Sequence, residues 1–153
     1  MSLNFIQYRV WDSTGMESGS GFPIIGWKDI VTPPVNSNSY TTPWSLYKED
    51  FDLLDDGTNY VSVRAIDTAN NVVISTDVFF IRKDIIPPDI TDNQSGDSVW
   101  KNSLAGIIYN IDFTDEHSKL SYFQVKITTG PAYTGTLKQD WTTVVSGINA
   151  TTY

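Results

Sequence analysis

The sequence predicts an all-β protein made of antiparallel strands, and three observations predict it. Apolar residues recur at every second position along several stretches. Clusters of Gly, Pro, Asn and Ser separate those stretches, and helical spacing is confined to one short segment.

Taken in chain order, Ile6, Tyr8 and Val10 alternate with Gln7 and Arg9, which puts the apolar set on one face of a half-buried strand. "GMESGSGFP" and "TPPVNSNS" then break the chain on either side of "WKDIV". "WSLYKEDFDLLDDG" spaces Tyr47, Phe51 and Leu54 at i, i+4 and i+7 and stops at Gly57, so it predicts one or two helical turns between strands. Trp44 and Leu46 spoil any longer amphipathic pattern. Val61, Val63 and Ala65 alternate with Ser62 and Arg64, and Tyr60 falls on the polar side of that strand. "VVISTDVFFI" and "YFQVKITT" add the β-branched and aromatic residues that suit pleated surfaces. Ile107, Tyr109, Ile111 and Phe113 alternate with Asn110 and Asp112 and predict a further strand. Turn signals about every 8 to 12 residues point to a sandwich or barrel.

Composition sets the outer limits. The 153 residues are 40% hydrophobic and 13% aromatic, enough to pack one large or two small cores. The 18 acidic residues outnumber the 10 basic ones and are scattered, so phosphate backbones are repelled and nucleic acid is not an expected partner. With no cysteine, disulfides, thiolate catalysis and sulfur-ligated metals drop out together. No apolar run approaches the roughly 20 residues of a membrane-spanning helix, and "MSLNFIQYRV" lacks the basic and apolar parts of a signal peptide. The opening Met1-Ser2-Leu3 reads like a cloning remnant, so the chain is expected to be an excised fragment of a longer one, which makes the missing targeting signal uninformative.

An internal repeat carries more information than any motif. "LNFIQYRV" from Leu3 matches "LSYFQVKI" from Leu120 at an offset of 117 residues. "WKDIV" from Trp27 matches "WTTVV" from Trp141 at 114, and "VNSNSY" from Val35 matches "INATTY" from Ile148 at 113. The drift is that of a loop losing residues while strands keep theirs. The chain thus reads as about 1.3 copies of a repeat about 115 residues long. The joint falls at "RKDIIPPDI", because Pro87 and Pro88 cannot donate to a ladder. Residues 1–86 form one module and 87–153 the first half of the next.

"DGTNYVSVRAIDTANNVV" resembles the F strand, FG turn and G strand of bacterial immunoglobulin-like and fibronectin type III-like modules. Ala65, Asp67, Ala69 and Asn71 fit that pattern, while Asn70 stands where the family has Gly; Asn is the next best residue for a left-handed backbone. "DIIPPDITD" is similar to the Pro-rich entry of a following module, and "SKLSYFQVKI" to the third strand. The resemblance implies an immunoglobulin-like antiparallel β-sandwich. Leu3 to Lys83 would supply strands C to G, and Asp89 to Tyr153 strands A, B, C and the start of C′. Each half would then lack strands, leaving an open edge and an uncovered apolar face. Completion within one permuted chain or by strand exchange in a homodimer is the expected remedy.

Asp67, Asn70 and Asn71 could be metal ligands, but calcium wants six to eight oxygens and several carboxylates, so a hairpin turn capped by the Asp is the better reading. Asp84, Asp89 and Asp92 beside the prolines, with Asp115 or Glu116 nearby in a turn, could hold calcium at the repeat joint; solvated carboxylates are the plainer reading. Asp55 and Asp56 read as turn residues, and the lone His117 as an exposed loop residue, since Ser18 and Ser20 lack a nucleophile elbow. No residue is assigned to catalysis, cofactor or metal. Trp11, Trp27, Trp44, Trp100 and Trp141 could stack on sugar, although Trp27 and Trp141 hold matching repeat positions, as packing residues would. Asn93 and Asn149 head glycosylation triplets that matter only in a suitable host. The expected function is a non-catalytic spacer or adhesion module of an extracellular or cell-surface protein. Neighbouring repeats and a protein or glycan ligand would be its partners; the alternative is a carbohydrate-binding accessory module of a secreted enzyme.

Overall fold

A computed structural model of the chain describes residues 2–15, 22–94, 96, 98–103 and 109–153. All the strands are antiparallel and hold about half of these residues, with one short helix, and the chain divides into two compact units, Met1–Ile85 and Ile86–Tyr153. No helix among the described residues is long and apolar enough to cross a membrane.

The first unit is one four-stranded sheet in the order β2-β1-β3-β4, made of β1 (Leu3–Trp11), β2 (Ile25–Asp29), β3 (Gly57–Asp67) and β4 (Val72–Lys83). Tyr8 lies opposite Val63, and Val10 opposite Val61, so the alternating residues of β1 and β3 build one apolar face together. Tyr8, Val10, Ile25, Leu54 and Val61 are its buried core, and each apolar side chain so buried is worth about 1.5–3 kcal/mol. Trp44 and Leu46 pack on that core ahead of the helix, and the Trp44 ring stacks on Tyr8 at 5.4 Å.

The helix α1 (Lys48–Leu53) departs from the face the sequence predicts. It turns Asp50 and Leu54 inward, while Phe51 and Leu53 stay exposed. Burial of a carboxylate there is possible because the Tyr8 hydroxyl and the Lys28 ammonium both meet it. After the helix, Gly57 (φ 94°) makes the bend into β3. The wholly buried Asn59 holds that bend: its oxygen accepts from the Asp55 N–H at 3.1 Å and its amide donates to the Asp55 carbonyl at 2.9 Å. β4 carries a bulge at Asp77 (φ 50°), whose N–H donates to the buried Ser62 hydroxyl at 3.3 Å. Along β4, Val72, Val73, Phe79 and Phe80 remain exposed.

The second unit has two antiparallel pairs, β5 (Asp89–Asp92) with β6 (Ile111–Thr114) and β7 (Leu120–Thr128) with β8 (Leu137–Ala150). β6 is shorter than the alternation from Ile107 predicts. Its ladder partner has only four residues, so Tyr109 and Asn110 stand outside it, and Ile107 lies outside the described residues. No strand runs through Pro87 and Pro88. Phe113 of β6 stacks on Phe123 of β7 at 4.5 Å, and Phe123 meets Tyr153 at 5.1 Å. The backbones of Phe113 and Tyr153 exchange two hydrogen bonds of 3.0 Å, which ties β6 to the chain beyond β8.

The two hairpins β1–β2 and β7–β8 share one register. Gln7 pairs with Asp29, Tyr8 with Lys28 and Val10 with Ile25; Gln124 pairs with Thr143, Val125 with Thr142 and Ile127 with Gln139. These three pairs of the second follow from those of the first by the offsets of 117 and 114 read in the sequence, with the irregularity between the last two pairs in the same place. Asn36 (φ 55°) and Asn149 (φ 49°), matched at offset 113, both take the left-handed backbone.

Candidate functional site

Three groups of side chains in the first unit bring chemistry together. The first lies on the sheet face opposite the core, where the alternation that buries Tyr8 and Val10 sends Gln7, Arg9 and Arg64 the other way. The Arg9 guanidinium sits 4.8 Å from the Trp11 ring and 4.6 Å from Trp27, and Arg64 sits 4.4 Å from Trp27. Arg64 Nε donates to Gln7 Oε1 at 2.7 Å, and Gln7 Nε2 donates to Asp29 Oδ1 at 2.7 Å. Burial lowers the pKa of both arginines, and Arg64 lowers that of Arg9 further.

The same device recurs in the second unit. Lys126, matched to Arg9 at offset 117, has its ammonium 5.8 Å from the ring of Trp141, which matches Trp27. Gln124, matched to Gln7, donates to Thr143 Oγ1 at 3.3 Å, where Gln7 reaches Asp29. Lys126 also pairs with Asp140 at 3.1 Å. The Asp140 carboxyl is held below its usual range by the Trp141 N–H first and then by Lys126.

The second group is the buried Asp50 with Tyr8 and Lys28. The Tyr8 hydroxyl donates to Asp50, and Lys28 Nζ donates to Asp50 Oδ1 at 2.8 Å while lying 4.6 Å from the Tyr47 ring. Burial, then the bond to Asp50, drives the Tyr8 ionisation upward, and the same carboxylate raises Lys28. Sequence reasoning missed this trio. Its members are 20 and 42 residues apart from Tyr8, and an acidic residue in a short amphipathic segment normally faces water.

The third feature is an apolar groove of about 240 Å³ on the core face, between Ile6, Ile30, Tyr40, Trp44, Val63 and Val73.

Of the carboxylates singled out in the sequence, Asp67 and Asp115 accept from backbone groups of their own turns. Asp67 Oδ1 accepts the N–H groups of Ala69 (2.8 Å) and Asn71 (2.9 Å), Oδ2 accepts the Asn71 amide (2.8 Å), and Asn70 takes φ 67°. The Asn71 side chain is the main reason that the Asp67 pKa lies below its usual value. Asp115, 7% exposed, accepts from the N–H groups of His117 (3.1 Å) and Lys119 (2.9 Å). Asp55 lies in the turn that Asn59 holds, and Asp56 Oδ1 accepts the Ile85 N–H at 3.0 Å. Asp89 and Asp92 begin and end β5, three residues apart, so alternation sends them to opposite faces. Asp84 follows β4 in the first unit. His117 and Glu116 are exposed; Ser18 and Ser20 lie outside the described residues. Asn93 donates its amide to Asp112 Oδ2 at 2.7 Å.

The tryptophans do not form one platform. Trp11 is 3% exposed and Trp27 lies against two guanidinium groups on the outer face, whereas Trp44 covers the core on the other. Trp100 is fully exposed, and Trp141 is half-exposed with Tyr133 at 5.9 Å. No protein-family model matches the chain, and no curated protein and no solved structure resembles it significantly.

Proposed function

We propose that the chain is a non-catalytic spacer or adhesion module, part of an array of immunoglobulin-like repeats in an extracellular or cell-surface protein. The observation that carries this reading is the shared register of the two hairpins, with a cation held at Trp27 and at Trp141 from matched positions. Equal registers at a fixed offset are what repeated copies of one module produce. The order β2-β1-β3-β4 agrees with strands C′, C, F and G of such a sandwich, in which C lies between C′ and F. In that scheme β5 to β8 correspond to A, B, C and C′ of the next copy. Neighbouring repeats are the chain's first partners, and a protein or glycan ligand or a strand-exchanged second copy are further ones.

Reading the parent gene tests this directly. Further copies should carry the basic residue, the Trp and the left-handed Asn at the same spacings, together with an export signal; a parent frame holding a single copy beside a catalytic domain would overturn it.

The alternative, a carbohydrate-binding accessory module, is favoured by Trp141 and Tyr133, two exposed rings tilted at 60°. Titration with soluble polysaccharides separates the two. Saturable quenching that disappears in Trp141→Ala would favour sugar binding, and a flat titration would favour the spacer.

A further inference from the structure

The two units solve one packing problem to different extents, and the difference identifies an occupant for the groove. Ile6 of β1 corresponds to Phe123 of β7 at offset 117, and Tyr40 corresponds to Tyr153 at offset 113. In the second unit both residues are engaged by β6: Phe113 stacks on Phe123, whose ring also meets Tyr153 at 5.1 Å, and the Phe113 backbone exchanges two hydrogen bonds with Tyr153. Asp115 adds a third bond, its N–H donating to the Thr151 carbonyl at 2.8 Å. In the first unit Ile6 and Tyr40 instead line the open groove of about 240 Å³. Among the described residues Tyr40 makes no backbone hydrogen bond.

We propose that this groove is a docking site for a two-stranded hairpin of the β5–β6 kind, donated by a neighbouring module, with an aromatic side chain packing on Ile6 and its backbone pairing with Tyr40. The chemistry follows from the contacts that β6 makes in the second unit. The incoming strand must present alternating apolar residues, as Ile111 and Phe113 do, because Val63 and Val73 form an apolar wall. Its backbone must run antiparallel to Asn38–Tyr40, the counterpart of Thr151–Tyr153, so that Tyr40 gains the two bonds that Tyr153 has. Main-chain pairing supplies affinity and the aromatic pocket supplies specificity. The donor's being a neighbouring module rests on the array reading above; the groove's preference for such a strand does not.

The test uses the full chain and, as the probe, a synthetic peptide of its own residues 86–119. Nuclear magnetic resonance should show saturable shifts at the methyl groups of Ile6, Val63 and Val73 and at the Tyr40 amide. Binding should weaken about tenfold or more when the peptide carries Phe113→Ala, or when the chain carries Val73→Asp, a change at an exposed position. Three results would overturn the proposal. Shifts confined to Phe123 and Tyr153 would mean that the peptide only replaces the chain's own β6. A titration without saturation would leave the groove with no such ligand. Concentration-dependent dimerisation without peptide, shifting the same groove residues, would give the groove to a second copy. A parent gene without further repeats would end the array reading while leaving the peptide result standing.

Discussion

The Tyr8 hydroxyl donates to the Asp50 carboxylate beneath the first sheet, and both side chains are closed off from water. The bond fastens α1 to β1, an inner strand of the sheet, and Lys28 Nζ, 2.8 Å away, balances the charge. A buried carboxylate without such partners would cost far more than the packing it permits. Tyr8→Phe keeps the ring stacked on Trp44 but removes the donor. It should destabilise the first unit by about 1.5–3 kcal/mol, measured by urea unfolding, because the lost bond is to a charged group.

The same bond predicts an alkaline limit. The ionisation of Tyr8 is pushed up in the folded chain by burial and then by Asp50, so the unfolded chain loses its tyrosine proton first, near pH 10. The stability that Tyr8 contributes is fully present below about pH 10 and is lost as pH rises toward the folded ionisation. Lys28, raised by the same carboxylate, acts in the same direction. Denaturation midpoints recorded from neutral pH upward should therefore fall above about pH 10, and fall less steeply in Tyr8→Phe.

At acid pH the Asp67 turn should respond. Its carboxyl is held below the ordinary value by the Asn71 amide first, then by the N–H groups of Asn71 and Ala69. A lowered carboxyl contributes stability that is present above about pH 4 and is lost as pH falls through the folded value. Asp67→Ala should lower stability at neutral pH and flatten the acid limb of the stability profile, followed by thermal unfolding from pH 6 downward.

Asn70 sits at φ 67° in that turn, where a side chain with a Cβ is strained and Asn is tolerated better than most. Asn70→Ala should cost about 1 kcal/mol, whereas Asn70→Gly should be close to neutral. Chemical denaturation of the two variants side by side gives the comparison. Equal losses would mean that the Asn side chain, not the backbone, matters there.

Arg9 and Trp27, 4.6 Å apart across β1 and β2, should be coupled. A double-mutant cycle with Arg9→Ala and Trp27→Leu should return about 0.5–1 kcal/mol, the usual range for a partly exposed cation over an indole. A coupling of zero would remove the basis for treating the outer face as a built feature.

Much of the strand architecture was legible in the sequence, because a pleated strand with one buried face must alternate, and Ile6-Tyr8-Val10 and Val61-Val63-Ala65 do so without interruption. Turns were legible where their chemistry is local: the hydrogen bonds that the Asp67 carboxylate accepts come from residues no more than four away. The offsets linking Leu3 to Leu120 and Trp27 to Trp141 were there to be read, and the pairing registers follow them. The short length of β6 was not legible, since alternation continues where the partner strand has ended.

What only the tertiary structure decided is which distant groups meet. Asp50 reads as a surface acid in any window around it; it is buried because the chain returns over Tyr8 and Lys28, residues that no local pattern links to it. The groove between Ile6 and Tyr40 is of the same kind, as is the contact of Arg64 with Trp27. Alternation and turn propensity act within a few residues and are written in the sequence directly, whereas burial and charge pairing depend on which strands lie side by side, and that is settled only when the whole sheet has formed.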